Sequence, residues 1–176
     1  YEASGKAEGL TDENIRSLAE GADGTLWIGT HQGAFRYDGQ RFTQLRRENG
    51  RPLDVVWAIL PDSRGDVWFG TSSGLVRLHG GRFTVYTPEL GPVPEAIICM
   101  LEDTSGALWF GTHSGLVRYA DGAFKRITDE ALSGETILAL HAEPPGTLWV
   151  GTYTGLRRWK DGRAARITEA QRLTED

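Results

Sequence analysis

Apolar residues fall into short bursts along this chain, broken at regular intervals by glycine. Ala96-Ile97-Ile98-Cys99-Met100-Leu101 is continuously apolar, the pattern of a strand buried on both faces. Thr104-Ser105-Gly106 interrupts it, a second burst runs from Ala107 to Thr112, and His113-Ser114-Gly115 makes a tight turn. Leu116-Val117-Arg118-Tyr119 is the third burst. Asp121-Gly122 is a strong hairpin signal, and Phe124-Lys125-Arg126-Ile127 is the fourth burst. The pattern predicts four short strands joined by glycine turns.

The same unit recurs along the whole chain. Trp27-Ile28-Gly29-Thr30, Trp68-Phe69-Gly70-Thr71, Trp109-Phe110-Gly111-Thr112 and Trp149-Val150-Gly151-Thr152 share W-x-G-T, spaced 41, 41 and 40 residues apart. Gly33, Gly74, Gly115 and Gly155 follow the motif, and Gly24, Gly65, Gly106 and Gly146 precede it. Gly39, Gly81, Gly122 and Gly162 close each unit, so 16 of the 23 glycines hold fixed places. Thr11 to Ala19 has the look of a helix start, but the repeat aligns Ile15 to Leu18 with an innermost strand, and the repeat takes precedence.

Four-stranded antiparallel units at this period are the signature of β-propeller blades. The expected fold is all-β, a propeller of four blades at about 10–45, 53–87, 94–128 and 135–168. Residues 1–9, with Tyr1 to Ser4, are expected to be the remnant of an outer strand from a closing or preceding blade. Four blades make either a small closed ring or half of a larger ring of about eight. A blade apolar on both faces must stack on neighbours, which assigns Trp27, Trp68, Trp109 and Trp149 as blade anchors.

Composition narrows the partners. A net charge of -5 with no basic block argues against nucleic acid. Arg46, Arg47 and Arg51 cluster around Glu48 and read as a solvated loop. No apolar run approaches the roughly 20 residues of a membrane span, so this segment is not expected to insert in a bilayer. A single cysteine excludes a disulfide framework and Cys-pair zinc sites.

Candidate chemistry lies where the repeat varies. The dipeptides between threonine and glycine are His31-Gln32, Ser72-Ser73, His113-Ser114 and Tyr153-Thr154. A propeller places these second-to-third-strand loops on one face, beside the connections 46–52, 88–94 and 129–134. These eight residues are the candidate ligand-binding set, suited to a polar small molecule, an oligosaccharide or a peptide; the alternative is a set of solvated turns. His31 and His113 are equivalent, but Ser72 and Tyr153 supply no third ligand, so neither metal nor cofactor is expected. Gly70-Thr71-Ser72-Ser73-Gly74 matches G-x-S-x-G, yet the strand Leu75 to Leu78 follows where a nucleophile elbow needs a helix.

Arg36, Arg77, Arg118 and Arg158 recur once per unit and are assigned as structural anchors. Each is predicted to pair with a carboxylate near the first turn: Glu20, Asp62, Glu102 or Asp103, and Glu143. Trp57 and Trp159 lie outside the W-x-G-T series and read as core. Cys99 reads as a small buried hydrophobe. Four scattered histidines with no visible carboxylate constellation predict a protein without catalytic residues.

The unit W-x-G-T-x-x-G-L resembles the two-component regulator propeller repeat, over about residues 10 to 168. Ala34 departs from Leu75, Leu116 and Leu156, and Ala164 departs from Phe42, Phe83 and Phe124. The resemblance implies a non-catalytic ligand-sensing or recognition domain. Such propellers typically lie outside the cytoplasmic membrane of bacterial receptors, whose output is an intracellular histidine kinase or diguanylate cyclase. A protein-interaction or oligomerisation scaffold is the alternative, and a lyase-like enzyme the second. Members usually carry more repeats, so a larger ring is expected to be completed either by a second copy of the chain, as a homodimer, or by further sequence of a longer receptor.

Overall fold

The computed structural model describes residues 9–87 and 96–167. All regular structure there is strand, in four antiparallel four-stranded sheets. The first is β1 (Ile15–Glu20), β2 (Leu26–Thr30), β3 (Gly33–Tyr37) and β4 (Phe42–Gln44). The second is β5 (Val56–Pro61), β6 (Val67–Thr71), β7 (Gly74–His79) and β8 (Arg82–Tyr86). β9 (Ile97–Glu102), β10 (Leu108–Thr112), β11 (Gly115–Ala120) and β12 (Ala123–Arg126) form the third. β13 (Ile137–Glu143), β14 (Thr147–Thr152), β15 (Gly155–Lys160) and β16 (Arg163–Arg166) form the fourth. In every sheet, spatial order follows chain order, as in a propeller blade. The predicted strand remnant at Tyr1 to Ser4 and the connection 88–94 lie outside the described residues.

The chain divides into two compact units, 1–97 and 98–176. In the first, Trp27, Ala34, Leu53, Val56, Val67, Phe69 and Val76 form one buried cluster between two blades. In the second, Trp109, Leu116, Ile127, Leu132, Ile137, Leu148 and Val150 form its counterpart. Each fully buried side chain of this size contributes about 1.5–3 kcal/mol, which a lone sheet with wet faces forfeits.

The motif threonine closes the turn that carries the variable residues. Thr30, Thr71, Thr112 and Thr152 donate their hydroxyls to the carbonyls of Gly33, Gly74, Gly115 and Gly155 at 2.7–3.0 Å. The same hydroxyls accept the amides of Gln32, Ser73, Ser114 and Thr154 at 3.0–3.2 Å. The glycines sit at φ 114 to 135°, a region closed to residues with a Cβ. The repeated threonine and glycine hold the loop, and the two residues between them are free to differ.

The predicted arginine–carboxylate pairs are corrected by the structure. Asp62, Asp103 and Glu143 accept the indole N–H of Trp68, Trp109 and Trp149 at 2.9, 2.7 and 2.5 Å. Arg77 pairs instead with Asp66, at 2.5 Å, and lies over Trp68. Arg118 lies over Trp109, and Arg36 is exposed. The indole N–H is a donor locked inside the blade, and where a carboxylate stands six residues before the tryptophan it claims that carboxylate. A guanidinium on a long stem reaches solvent or the flat indole face instead.

Candidate functional site

Three innermost strands carry a register shift at the same place. It falls between Ile15 and Ser17, between Val56 and Ala58, and between Ile137 and Ala139. A β-bulge gives one strand an extra residue and turns that side chain out of the ladder. The extra residues are Arg16, Trp57 and Leu138, and all three are exposed. Trp57, read from sequence as core, is therefore a surface side chain, 36% exposed. The extra residue of the bulge leaves the ladder, so its side chain turns outward.

In the first unit this bulge brings a cluster together. The Arg16 guanidinium lies 5.0 Å from the Trp57 ring centroid and donates to His31 Nε2. The His31 ring meets Trp57 edge to face at 6.0 Å. Beside them lies a cleft of about 520 Å³ lined by His31, Gln32, Gln44, Arg46, Leu53, Asp54 and Ser72, among others. Three of the eight candidate residues thus share one cleft, contributed by adjacent blades. Ser73 borders it through Asp54, to which its hydroxyl donates at 2.5 Å.

The cleft wall is held from behind. Buried Asp12 accepts the amides of Asn14 and Gln32 at 3.0 and 2.8 Å, fixing the His31-Gln32 turn. Burial opposes ionisation of Asp12, but the hydrogen bonds from Asn14, Thr30 and Gln32 and the nearby His31 together lower its pKa. The basic segment is no loose loop: Arg47 and Arg51 are hydrogen-bonded through the backbone, and Arg46 bridges to Pro52. Arg46 also donates to Gln44 Oε1 and the Gly50 carbonyl, and Arg47 pairs with Asp54 at 3.1 Å. These contacts close the segment into a rim.

The other four candidates lie in the second unit. His113 and Ser114 are exposed; Thr136 donates to the His113 carbonyl and Arg126 to Ser114. Tyr153 is 77% exposed. Thr154 donates to Glu135 at 2.7 Å and accepts from Arg157 at 2.6 Å. Arg157, 4% exposed, stands where the other blades carry Phe35, Val76 and Val117, and its guanidinium also binds Glu135 and the Ala131 carbonyl. The substitution of an apolar strand position by arginine was the available signal for it. For Trp57 and Arg16 the signal was variation, as Arg, Trp, Ile and Leu, at one inner-strand position.

At the other end of β7 from the cleft, His79 Nδ1 lies 2.5 Å from Asp66 Oδ1. No such histidine–carboxylate pair is visible in the sequence. Thirteen residues separate the two, and only the β6–β7 pairing brings them together. Gly70 to Gly74 runs from strand into tight turn into strand, which is not the geometry of a nucleophile elbow.

The two component regulator propeller family pattern matches residues 9–32, 50–73 and 91–114. Each match ends on the second variable residue of a turn: Gln32, Ser73 or Ser114. No curated protein matches the chain. Among solved structures, it is similar to the extracellular domain of a hybrid two component system from B. thetaiotaomicron, at 21% identity and TM-score 0.80, over 94% of this chain and 26% of that one. The extracellular domain of a one component system from the same organism matches at 23% identity and TM-score 0.73, over 91% and 22%. Virginiamycin B lyase from Staphylococcus aureus matches at 19% identity and TM-score 0.71, over 90% and 56%. The chain thus spans about a quarter of the length of the first two, and these likenesses establish the β-propeller fold. The chain therefore carries three repeats that match the two component regulator propeller pattern, on a β-propeller fold.

Proposed function

We propose that the chain is a ligand-recognition propeller segment of an extracytoplasmic sensor, and that the cleft flanked by Trp57 recognises the ligand. One observation carries the reading: variable turn residues of two adjacent blades line one cleft, beside an aromatic residue that a bulge turns outward. Trp57 keeps part of its ring open to solvent beside Arg16 and His31, and Arg16, His31 and Gln32 supply donors and acceptors around it. The ligand class that fits is a polar molecule with one flat or apolar face, an oligosaccharide or a short peptide. The likeness to extracellular domains of two bacterial regulatory systems supports a place outside the cytoplasm. Among the described residues no helix is long and apolar enough to cross a membrane.

The test is a titration of the chain with a panel of oligosaccharides and short peptides, followed by tryptophan emission and calorimetry. Saturable binding of a panel member is expected, with Trp57→Ala and His31→Ala each weakening it at least about tenfold. Binding that neither substitution alters would sink the assignment of this cleft. A lyase reading rests on the shared fold of virginiamycin B lyase and on the Asp66–His79 pair. It predicts that His79→Ala abolishes an elimination activity, and recognition without turnover speaks against it.

A further inference from the structure

The second unit holds a smaller pocket at the end of its two sheets away from the variable turns. It encloses about 100 Å³ and lies where β10 and β14 begin. Two indoles make a corner of its lining: Trp109 and Trp159 meet edge to face, with 6.4 Å between ring centroids and 65° between planes. Ala142 and Leu148 extend the apolar wall, and two carboxylates, Asp103 and Glu143, line the same space. No lysine or arginine is among the described residues that line it.

The carboxylates bring charge but few vacant acceptors. Asp103 Oδ1 accepts from the Ser105 amide and hydroxyl and from the Ala107 amide at 2.5–3.1 Å, and its Oδ2 accepts the Trp109 indole at 2.7 Å. Glu143 Oε2 accepts the Trp149 indole at 2.5 Å. Three of the four carboxylate oxygens are thus already claimed. In the first unit the corner does not form. Gly21 stands at the place of Asp103, and Leu78, paired with Val67, stands where Trp159 pairs with Leu148.

Indole faces and carboxylates both attract positive charge, so the pocket suits a cation. Hydrogen bonding decides which kind. A primary ammonium needs an acceptor for each of its N–H groups, and a divalent metal ion takes about six oxygen ligands. A quaternary ammonium needs neither, and its methyl groups suit the apolar wall. We propose that this pocket binds a quaternary ammonium group, with Trp109 and Trp159 against its methyl groups and Asp103 and Glu143 supplying the opposite charge. The inference does not rest on the Trp57 cleft, which lies in the first unit.

Titration of the full chain with choline tests this, read by calorimetry and by the indole N–H resonances in nitrogen–proton NMR spectra. Choline is expected to shift the Trp109 and Trp159 signals saturably. Two comparators, the neutral carbon analogue of choline and the primary amine ethanolamine, should each bind at least about fivefold more weakly. Trp159→Leu copies the residue of the first unit, and Glu143→Gln keeps an oxygen for the Trp149 indole while removing the charge. Each should weaken choline binding at least about fivefold, with circular dichroism matching wild type to certify the fold. A titration without saturable shifts overturns the proposal. Equal binding of the neutral analogue reduces the pocket to an apolar slot, and equal binding of ethanolamine removes the quaternary preference; either result refutes it. Choline binding that both substitutions leave intact lies elsewhere and refutes it too.

Discussion

Trp68 donates its indole N–H to Asp62 at 2.9 Å, and the same carboxylate accepts the amides of Arg64 and Asp66 in the preceding turn. One carboxylate thus ties the blade's largest buried side chain to the turn that leads into its strand. Asp103 does the same for Trp109. The first blade has Gly21 at this position, and Trp27 Nε1 is buried there without a hydrogen-bond partner.

Supplying the missing acceptor is expected to stabilise the first blade. Gly21 is not in the left-handed region, and its backbone makes the same turn contacts as Asp62 and Asp103: its amide donates to Thr25, and its carbonyl accepts from Gly24. A Cβ there would lie 3.1 Å from Trp27 Nε1 but 2.9 Å from Asp23 Oδ1, so Asp23 must give way. The double variant Gly21→Asp/Asp23→Ser copies Asp103 and Ser105 of the third blade. It is expected to raise stability by about 1 kcal/mol, through one satisfied indole and one less flexible glycine. Chemical denaturation reads the gain; an unchanged or lower midpoint refutes it.

Asp103 predicts how acid acts on the second unit. Burial disfavours its charge, yet hydrogen bonds from the Ser105 side chain, the Trp109 indole and the Ser105 and Ala107 amides outweigh this and lower its pKa below 3.8. The unfolded state therefore takes up the proton first as pH falls. The stabilisation is complete above the ordinary carboxylate range and is lost as pH falls through the lower, folded-state value. Asp103→Asn replaces one of the two acceptor oxygens with an NH2 that must face either the indole N–H or the turn amides, and is expected to cost about 1–3 kcal/mol at neutral pH. Its stability should also fall less steeply between neutral pH and pH 3 than that of wild type, measured by denaturation at each pH.

The repeat, the strands and the turn positions were legible because each depends on residues within a few places of one another. Thr30 closes a turn on Gly33, and a tryptophan every 41 residues marks a blade. The residues that vary between threonine and glycine pointed to one wall of the cleft. What was not legible depends on register. Trp57 leaves the core because the ladder slips by one residue between Val56 and Ala58, and an apolar strand looks the same with or without that slip. The partner of Arg77 was missed for a related reason. Asp62 and Asp66 are both near, and the choice between them rests on which one the indole N–H claims.

Gly111 and Gly151 occupy the same motif position and should differ sharply in tolerance. A Cβ on Gly111 would meet Cys99 Sγ and two carbons of Ile137, both within buried packing. Gly111→Ala is expected to cost about 1–3 kcal/mol, the usual penalty of overpacking. Gly151→Ala meets Ala139 at ordinary contact distance and should change folding stability by less than about 0.5 kcal/mol in dilute solution. Parallel denaturation of the two variants decides the matter, and equal losses would mean that the junction is not what constrains this glycine.

Cys99 reports on the same junction from the other side. Burial pushes its thiol pKa up from 9.0 to about 12, and the Gly111 amide offsets only part of this. The thiolate is the reactive form, so alkylation of the native chain at pH 8 should be slower than that of the unfolded chain by orders of magnitude. Sequence alone gave Cys99 as a small hydrophobe; the raised pKa makes it a probe of opening. Between pH 9 and about 12 the unfolded state loses the proton while the folded state keeps it, so stability should fall as pH rises through that window. Cys99→Ala removes this alkaline slope but leaves a gap beside Gly111, whose Cβ space the sulfur now borders. Gly111→Ala should then be better tolerated in the Cys99→Ala background than alone, a coupling of about 0.5–3 kcal/mol in a double-mutant cycle. Strictly additive losses would show that Cys99 and Gly111 do not share the space between them.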